Sequence, residues 1–195
     1  MNREYWENRY VSKNSKWNAG AITTPLKDYI DQLENKNLRI LVLGIGHGYE
    51  LLYLHRQGFA NSYGIDLTDI AVKETALKHS DFPMDSVIIE DFFHHVGEYD
   101  LIIEQTFFCS LPRELRSAYV SKINQLLSQK GKLVGVLFDC EFDTSEPPFG
   151  GSKKEYDQLF RNDMKIKVLE KAYNSIKPRA GREVFINIEK QQQHD

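Results

Sequence analysis

Residues Leu41–Glu50 read LVLGIGHGYE, and this stretch decides the fold. An aliphatic run that begins at Leu38 passes into three closely spaced glycines, and helical text follows them. A run this continuous is typical of a strand that is buried on both faces. Glycine tolerates positive φ and has no Cβ to keep a ligand away from the backbone. The stretch therefore predicts a strand, a ligand-binding turn and a helix.

Strands and helices alternate along the rest of the chain. Six further strand-like stretches follow, in the order NSYGID, SVIIED, YDLIIEQ, KLVGVLFD, MKIKVLEKAY and REVFINIEK. The longest helix starts at Pro112 and is expected to end at Gly131. The last two strands form a predicted hairpin with its turn at KPRAG. We expect one α/β domain over residues 1–195, with a doubly wound, seven-stranded, mostly parallel sheet and an antiparallel C-terminal strand.

The composition argues against several classes of protein. The formal net charge is −3 and basic runs are no longer than a pair, so a nucleic-acid binder is not expected. The N-terminal MNREYWENRY lacks an apolar leader, and no run of about 18 apolar residues predicts a membrane span. Cys109 and Cys140 form no C-x-x-C pair. We expect a cytoplasmic protein, monomeric or weakly dimeric, with a frayed polar tail at 191–195.

The glycines and an acid on the next strand predict a nucleotide site. Ligands of open parallel sheets bind at the carboxyl ends of the strands, where Gly44, Gly46 and Gly48 lie. Asp66 ends the second strand, followed by Leu67, and its carboxylate can hold both hydroxyls of a ribose. The alternative is a glycine-rich turn with a capping aspartate.

Tyr49 distinguishes between two classes of predicted nucleotide ligand. It occupies the sixth position of the pattern, so the dinucleotide fingerprint G-x-G-x-x-G fails. The pattern fits an adenosyl ligand without a pyrophosphate, which indicates S-adenosylmethionine rather than NAD. After the third strand, Asp91 can accept the adenine amino hydrogen and Phe92 can lie against the ring. The alternative for this pair is a helix cap beside core phenylalanines.

The sequence offers no catalytic residue and no metal site. No Ser-His-Asp order is present, and adjacent residues such as His94 and His95 point to different sides of a regular element. His47 lies inside the glycine turn and is expected to reach a cofactor through its backbone alone. Cys109 is expected to be a small core residue.

Three further stretches carry a resemblance to a known family: WENRYVSKNSKWNAGAITTP, YDLIIEQTFFCSLPRELR and EPPFGG. With the glycine turn, they resemble the class I S-adenosylmethionine-dependent methyltransferases, which have a Rossmann-like fold. Within that class the chain looks like the thiopurine S-methyltransferase family, especially its branch of plant halide and thiol methyltransferases. The resemblance covers nearly the whole chain.

The resemblance implies that residues 1–24 cover the cofactor. Trp6, Tyr10 and Trp17 stand where the family has aromatic residues, with Tyr10 in place of the common Trp. Aromatic surfaces suit both a sulfonium cation and an adenine. The alternative is a surface helix whose aromatic residues are fixed to the core.

The resemblance also implies contacts after the fourth strand. Glu104 and Gln105 stand where the family has cofactor-binding residues, although Gln105 replaces an Arg or a Tyr. Phe107, Phe108 and Phe149 are expected to form an apolar wall for a small substrate, with Phe149 in the matching substrate loop.

The predicted activity is methyl transfer from S-adenosylmethionine to a small soft nucleophile, which is a thiol, thiocyanate or a halide. Such an in-line displacement needs orientation and desolvation more than a general base. An oxygen or nitrogen acceptor remains an alternative, with Glu104 as the candidate base. A catalytically silent module that binds S-adenosylmethionine is another. A nicotinamide dehydrogenase is disfavoured because Tyr49 breaks its fingerprint.

Overall fold

The strand that runs into the glycine turn lies at the centre of a seven-stranded sheet. The computed structural model describes residues 1–191. The strands are β1 Ile40–Leu43, β2 Ser62–Asp66, β3 Val87–Ile89, β4 Tyr99–Gln105, β5 Leu127–Phe138, β6 Met164–Lys171 and β7 Glu183–Lys190. The helices are α1 Arg3–Val11, α2 Thr24–Asp31, α3 Tyr49–Arg56, α4 Ile70–Lys78, α5 Arg116–Leu126 and α6 Lys153–Arg161.

The strand order is β3-β2-β1-β4-β5-β7-β6. Strands β1 to β5 pair in parallel, whereas β7 runs antiparallel to both β5 and β6. The predicted fold class is therefore confirmed, including its antiparallel C-terminal strand. The connection after β1 leads to β2 on one side of the sheet, and the connection after β4 leads to β5 on the other side. A crevice therefore opens between the carboxyl ends of β1 and β4.

Two apolar cores cover the faces of the sheet, because successive side chains of β1 point to opposite sides. Ile40 and Val42 pack with α2, α3 and α4 on one face. Leu41 and Leu43 pack with α5 and α6 on the other. All four side chains are buried. The unbroken aliphatic run is thus explained by burial on both sides.

The predicted end of the longest helix is wrong. Helix α5 ends at Leu126, and Leu127 already pairs with Tyr99 as the first residue of β5. A Cβ on Gly131 would lie 2.9 Å from the Tyr99 carbonyl oxygen. Gly131 therefore permits a close approach within an irregular strand and does not end the helix.

The connection between β6 and β7 is longer than the predicted turn at KPRAG. It spans residues 172–182 and contains a short 3₁₀ turn at Lys177–Arg179. Because β7 is antiparallel, this connection lies at the edge where β5 ends. Within residues 1–191, none of the helices combines the length and the apolar character needed to cross a bilayer. Residues 192–195 of the predicted frayed tail lie outside the described part of the chain.

Candidate active site

A cavity of about 600 Å³ opens at the carboxyl edge of the sheet. Its walls come from the ends of β1, β2 and β4, the N-terminal segment, the loop after β5 and the connection between β6 and β7. These elements are far apart in sequence and meet because the parallel strands all end at this edge. The predicted residues that line the cavity are Trp6, Tyr10, Trp17, Gly44, Gly46, Asp66, Leu67, Gln105 and Phe107.

The glycine turn brings backbone to the cavity wall. Gly44 has φ 53° and Gly46 has φ 49°, values in the left-handed region that favours glycine. A Cβ on Gly44 would lie 2.6 Å from a ring carbon of Phe107. A Cβ on Gly46 would lie 3.1 Å from the Tyr10 hydroxyl oxygen. The absence of a Cβ therefore lets Phe107 and Tyr10 pack directly against the backbone of the turn.

Asp66 faces the cavity from the end of β2. The backbone N–H of Gly46 donates to Oδ2 at 2.9 Å, and that of Thr68 donates to Oδ1 at 3.2 Å. Burial raises the pKa of this carboxyl, while hydrogen bonds from Gly46, Thr68 and Leu67 act in the opposite direction. The carboxylate is thus fixed in position, and its remaining lone pairs are available to a ligand.

The N-terminal segment (residues 1–24) contributes aromatic rings. Tyr10 and Trp17 meet edge to face with ring centroids 5.8 Å apart, and Trp6 meets Trp17 in the same way at 5.7 Å. Arg9 Nη1 lies 3.2 Å from an oxygen of Glu146, which belongs to the loop after β5. The segment is therefore held both by its own rings and by an ion pair to a second wall of the cavity.

Gln105 presents a free amide at the end of β4. The Thr23 hydroxyl donates to its Oε1 at 2.7 Å, which fixes the amide orientation. Its Nε2 is buried and has no hydrogen-bond partner among the described residues. A buried donor without a partner is costly, so this nitrogen is suited to a ligand atom.

Glu104 lies outside the cavity lining. Its side chain is fully buried, and one oxygen accepts the N–H groups of Phe107 at 2.8 Å and Phe108 at 2.9 Å. The Tyr119 hydroxyl donates to the other oxygen at 2.9 Å. Burial raises the pKa of Glu104 to about 7. This carboxyl fixes the turn after β4 and is not among the residues that line the cavity.

Five other predicted residues also lie outside the lining. Gly48 is the N-cap of α3, and a Cβ there would lie 2.7 Å from a ring carbon of Phe82. Asp91 accepts the Phe93 N–H at 2.8 Å. Phe92 and Phe108 belong to the core. Phe149 donates its N–H to the Cys109 carbonyl at 2.7 Å. Their contacts with cofactor or substrate stay predictions.

His95 and Cys109 have ordinary structural surroundings, whereas His47 lines the cavity. His95 lies between Glu90 and the Tyr99 hydroxyl, 2.8 Å from the latter. Cys109 is buried, its thiol donates to the Thr106 carbonyl at 3.2 Å, and burial raises its pKa. The Cys109 side chain nevertheless borders the cavity. Across residues 1–191, no group of three His, Cys, Asp or Glu side chains is arranged to hold a metal ion.

Several charged residues of the cavity wall were not predicted. Arg9 and Glu146 border its opening, and Glu50 and Arg179 are buried within its wall. Glu50 had a usable signal, because a charged residue beside the buried Leu51 and Leu54 of an amphipathic helix is unusual.

Comparison with known proteins gives a consistent result. Residues 1–193 match the family described as Thiopurine S-methyltransferase. The Probable thiol methyltransferase 2 of Arabidopsis thaliana is 27% identical over 159 residues, covering 79% of this chain and 70% of the relative. Thiocyanate methyltransferase 1 of Brassica oleracea is 25% identical over 185 residues, covering 91% and 81%.

A solved structure is similar over almost the entire fold. It is the 1,6-didemethyltoxoflavin-N1-methyltransferase of Burkholderia thailandensis, crystallised with 1,6-didemethyltoxoflavin and S-adenosylhomocysteine. The TM-score is 0.77 at 16% identity, with 97% of this chain and 87% of that chain covered. At this identity the likeness supports the fold and leaves the acceptor open.

Proposed function

The chain belongs to the thiopurine S-methyltransferase family and is an S-adenosylmethionine-dependent methyltransferase, and we propose that its acceptor is a small soft nucleophile: a thiol, thiocyanate or a halide. The observation that carries this proposal is the loss of the one candidate base named from the sequence. Glu104 is fully buried and bonded to the turn after β4. A nucleophile that ionises by itself needs no base in the enzyme.

The cavity wall fits the cofactor. The turn at Gly44 and Gly46 presents backbone to the cavity, and Asp66 offers a fixed carboxylate for ribose hydroxyls. Tyr10 and Trp17 offer aromatic faces to a cationic sulfur. When bound, S-adenosylmethionine supplies an activated methyl group on a sulfonium.

The residues around the acceptor side are suited to orientation and exclusion of water. Phe107 and the pair Pro147-Pro148 give the wall an apolar surface. The free Nε2 of Gln105 can donate to an anionic acceptor or to the cofactor. The N-terminal segment closes the cavity from above through Arg9 and Glu146. Desolvation of this kind favours a soft anion, which loses little hydration energy on entering.

The test measures methyl transfer from labelled S-adenosylmethionine to bisulfide, thiophenol, thiocyanate, iodide and a phenol. With two thiols of different acidity, we expect each rate to rise with pH and to level off above the pKa of that thiol. A pH profile that is set by the enzyme and is the same for thiols and the phenol would contradict the proposed acceptor, although it would leave the methyltransferase assignment intact.

A further inference from the structure

Three arginines meet at one wall of the cavity. Arg9 comes from α1, Arg179 and Arg182 come from the connection between β6 and β7, and all three border the cavity. Two of them contact Trp17: Arg179 Nη2 donates to its carbonyl oxygen at 2.7 Å, and Arg9 Cζ lies 5.6 Å from its ring centre. The backbone N–H of Arg182 donates to the Arg179 carbonyl at 3.0 Å. These contacts hold the three residues in one patch, the arginine wall.

Aromatic rings flank the guanidinium groups of the arginine wall. Arg182 Cζ lies 4.8 Å from the ring centre of Phe142, and Arg179 Cζ lies 5.9 Å from that of Phe138. Phe138 and Phe142 meet edge to face with their ring centroids 4.9 Å apart, and both border the cavity. A guanidinium that lies over an aromatic face keeps the N–H groups at its edge free for an anion.

Part of the hydrogen-bonding capacity of the arginine wall is unused. Arg9 Nε and Arg179 Nη1 are buried and have no hydrogen-bond partner within residues 1–191. In the same part of the chain, the exposed side chain of Arg182 forms neither a hydrogen bond nor an ion pair. A buried donor without an acceptor is costly. An acceptor atom supplied by a ligand would therefore stabilise this arrangement.

The acids beside the arginine wall offset its charge only in part. Glu146 lies 3.2 Å from Arg9 Nη1, but 59% of its side chain is exposed. Glu183 lies 3.6 Å from Arg179 Nη1, and burial raises its pKa. Burial also raises the pKa of Glu50 in the cavity lining to about 7, although the charge of Arg179 acts in the opposite direction. Because arginine stays protonated, the wall presents a net positive charge.

We propose that the arginine wall binds a carboxylate of the methyl acceptor, so that the favoured acceptor is a thiol that carries a carboxylate apart from its sulfur. The inference rests on the proposed function, since it takes the cavity to be the site of methyl transfer to a soft nucleophile. Guanidinium N–H groups match the two oxygens of a carboxylate, whereas a halide offers a single atom. The flanking rings suit the carbon skeleton that joins the carboxylate to the sulfur. The arginines set specificity by binding, and no chemical step is assigned to them.

Two acceptors of the same shape test the inference. 4-Mercaptobenzoate carries the carboxylate, and 4-mercaptobenzamide replaces it with a neutral amide. Methyl transfer from labelled S-adenosylmethionine is measured for both at a pH at which both thiols are ionised. The wild-type kcat/KM should be about 10- to 100-fold higher for the carboxylate, the range for hydrogen bonds to a charged group. The difference should lie mainly in KM, because a carboxylate remote from the sulfur is bound equally in the ground and transition states.

Variants separate a built site from a general effect of charge. Arg9→Gln and Arg182→Gln should each reduce the preference for the carboxylate at least about threefold, and the double variant at least about tenfold. The kcat/KM for the amide should change less than about twofold, which also reports an intact site. Lys16→Gln is the matched control, since Lys16 is an exposed cation that borders the cavity outside the arginine wall. It should leave the preference unchanged within about twofold.

The possible results separate the inference from the proposed function. If the wild type methylates none of the thiols, thiocyanate or iodide, the proposed function fails. If it methylates them but the carboxylate and the amide react alike, the inference is overturned while the function stands. A preference that persists in the double variant, or that Lys16→Gln reduces as much, overturns it as well.

Calorimetry with S-adenosylhomocysteine covers the remaining case. We expect the affinity for this product to change less than about threefold in Arg9→Gln and Arg182→Gln. A parallel loss of its affinity and of transfer to both acceptors would mean that the arginine wall serves the cofactor or the fold, which contradicts the inference.

Discussion

Strands β2 and β4 each carry an acid near the carboxyl end, and the structure uses the two acids differently. Asp66 accepts hydrogen bonds from neighbouring backbone and still borders the cavity. Glu104 accepts two backbone N–H groups and the Tyr119 hydroxyl and has no exposed surface. Both stand at the carboxyl edge of a parallel sheet. In the sheet register Gln105 lies level with Asp66 and Glu104 lies one residue earlier, so the Glu104 side chain points to the opposite face of the sheet.

The turns that follow the two strands add to the contrast. After β2 the chain runs into Thr68 and on to α4, so a side of Asp66 stays open. After β4 the chain folds back through a 3₁₀ turn at Phe108–Ser110, and its N–H groups point at Glu104. Asp66 thus stays open to the cavity, whereas Glu104 is bonded into the fold, and three measurements test that division.

The largest expected effect is on stability at β4. Glu104→Ala leaves two buried N–H groups and the Tyr119 hydroxyl without an acceptor, which should lower the free energy of unfolding by about 3–5 kcal/mol. Urea unfolding of the variant and the wild type measures this. A loss below about 1 kcal/mol would mean that the turn does not depend on this carboxyl.

The pH dependence of stability is the next effect in size. The pKa of Glu104 is about 7 in the folded protein and near the ordinary 4.5 when unfolded. The folded state thus holds the proton that the unfolded state releases, so this carboxyl contributes stability below pH 4.5 that is lost as pH rises to about 7.

The expected loss over that window is up to about 3 kcal/mol. Comparing unfolding free energies of wild type and Glu104→Gln from pH 4 to 8 isolates the contribution. Glu50, whose pKa burial also raises to about 7, adds a slope of the same sign and remains in the variant. Parallel pH curves for the two proteins would show that Glu104 is not protonated in the folded state.

Asp66 should show the opposite pattern to Glu104. Asp66→Ala removes the proposed ribose contact and should weaken S-adenosylhomocysteine binding by about 1.5–3 kcal/mol. Its unfolding free energy should fall less than that of Glu104→Ala, because the freed N–H of Gly46 lies beside the cavity and can reach water. Calorimetry and urea unfolding on the same sample give both numbers. Unchanged affinity in a folded variant would place the ribose elsewhere.

The smallest effect is expected at the ion pair between the N-terminal segment and the loop after β5. Glu146 is mostly exposed, and exposed ion pairs contribute about 0–1 kcal/mol. Glu146→Gln should therefore change cofactor affinity by less than about fivefold, and less still at high salt. The affinity should be measured at low and high ionic strength. A larger change would mean that closure of the segment depends on this pair.

Local patterns account for what the sequence predicted well. The run before Gly44, the glycines and Asp66 are predicted from spacing alone, because one continuous strand–turn–helix–strand unit contains them. The antiparallel last strand followed from the hairpin-like end of the chain. Trp6, Tyr10 and Trp17 were placed at the cavity only through the family resemblance. The spacing of these three residues within 1–24 does not indicate which surface of the protein they cover.

The remaining features depend on tertiary contacts. Glu104 was predicted as a site residue because it lies near the end of its strand, but its register turns the side chain to the face opposite Asp66, where the following turn bonds to it. Arg179 reaches the cavity because β7 is inserted antiparallel between β5 and β6. Gly131 was predicted to end a helix because glycine is common there. The contact that requires a glycine is the close approach of Tyr99, which lies on a neighbouring strand and leaves no local signal in the sequence.

The antiparallel last strand also determines at which end the protein can be attached to a surface. Strand β7 ends beside the start of β5, where Lys190 Nζ donates to the Leu127 carbonyl at 2.7 Å. This edge of the sheet is opposite the cavity. A tether to a bead or a sensor surface at the carboxyl end therefore leaves the cavity facing solution. A tether at Met1 would instead pull on the N-terminal segment, which forms one wall of the cavity.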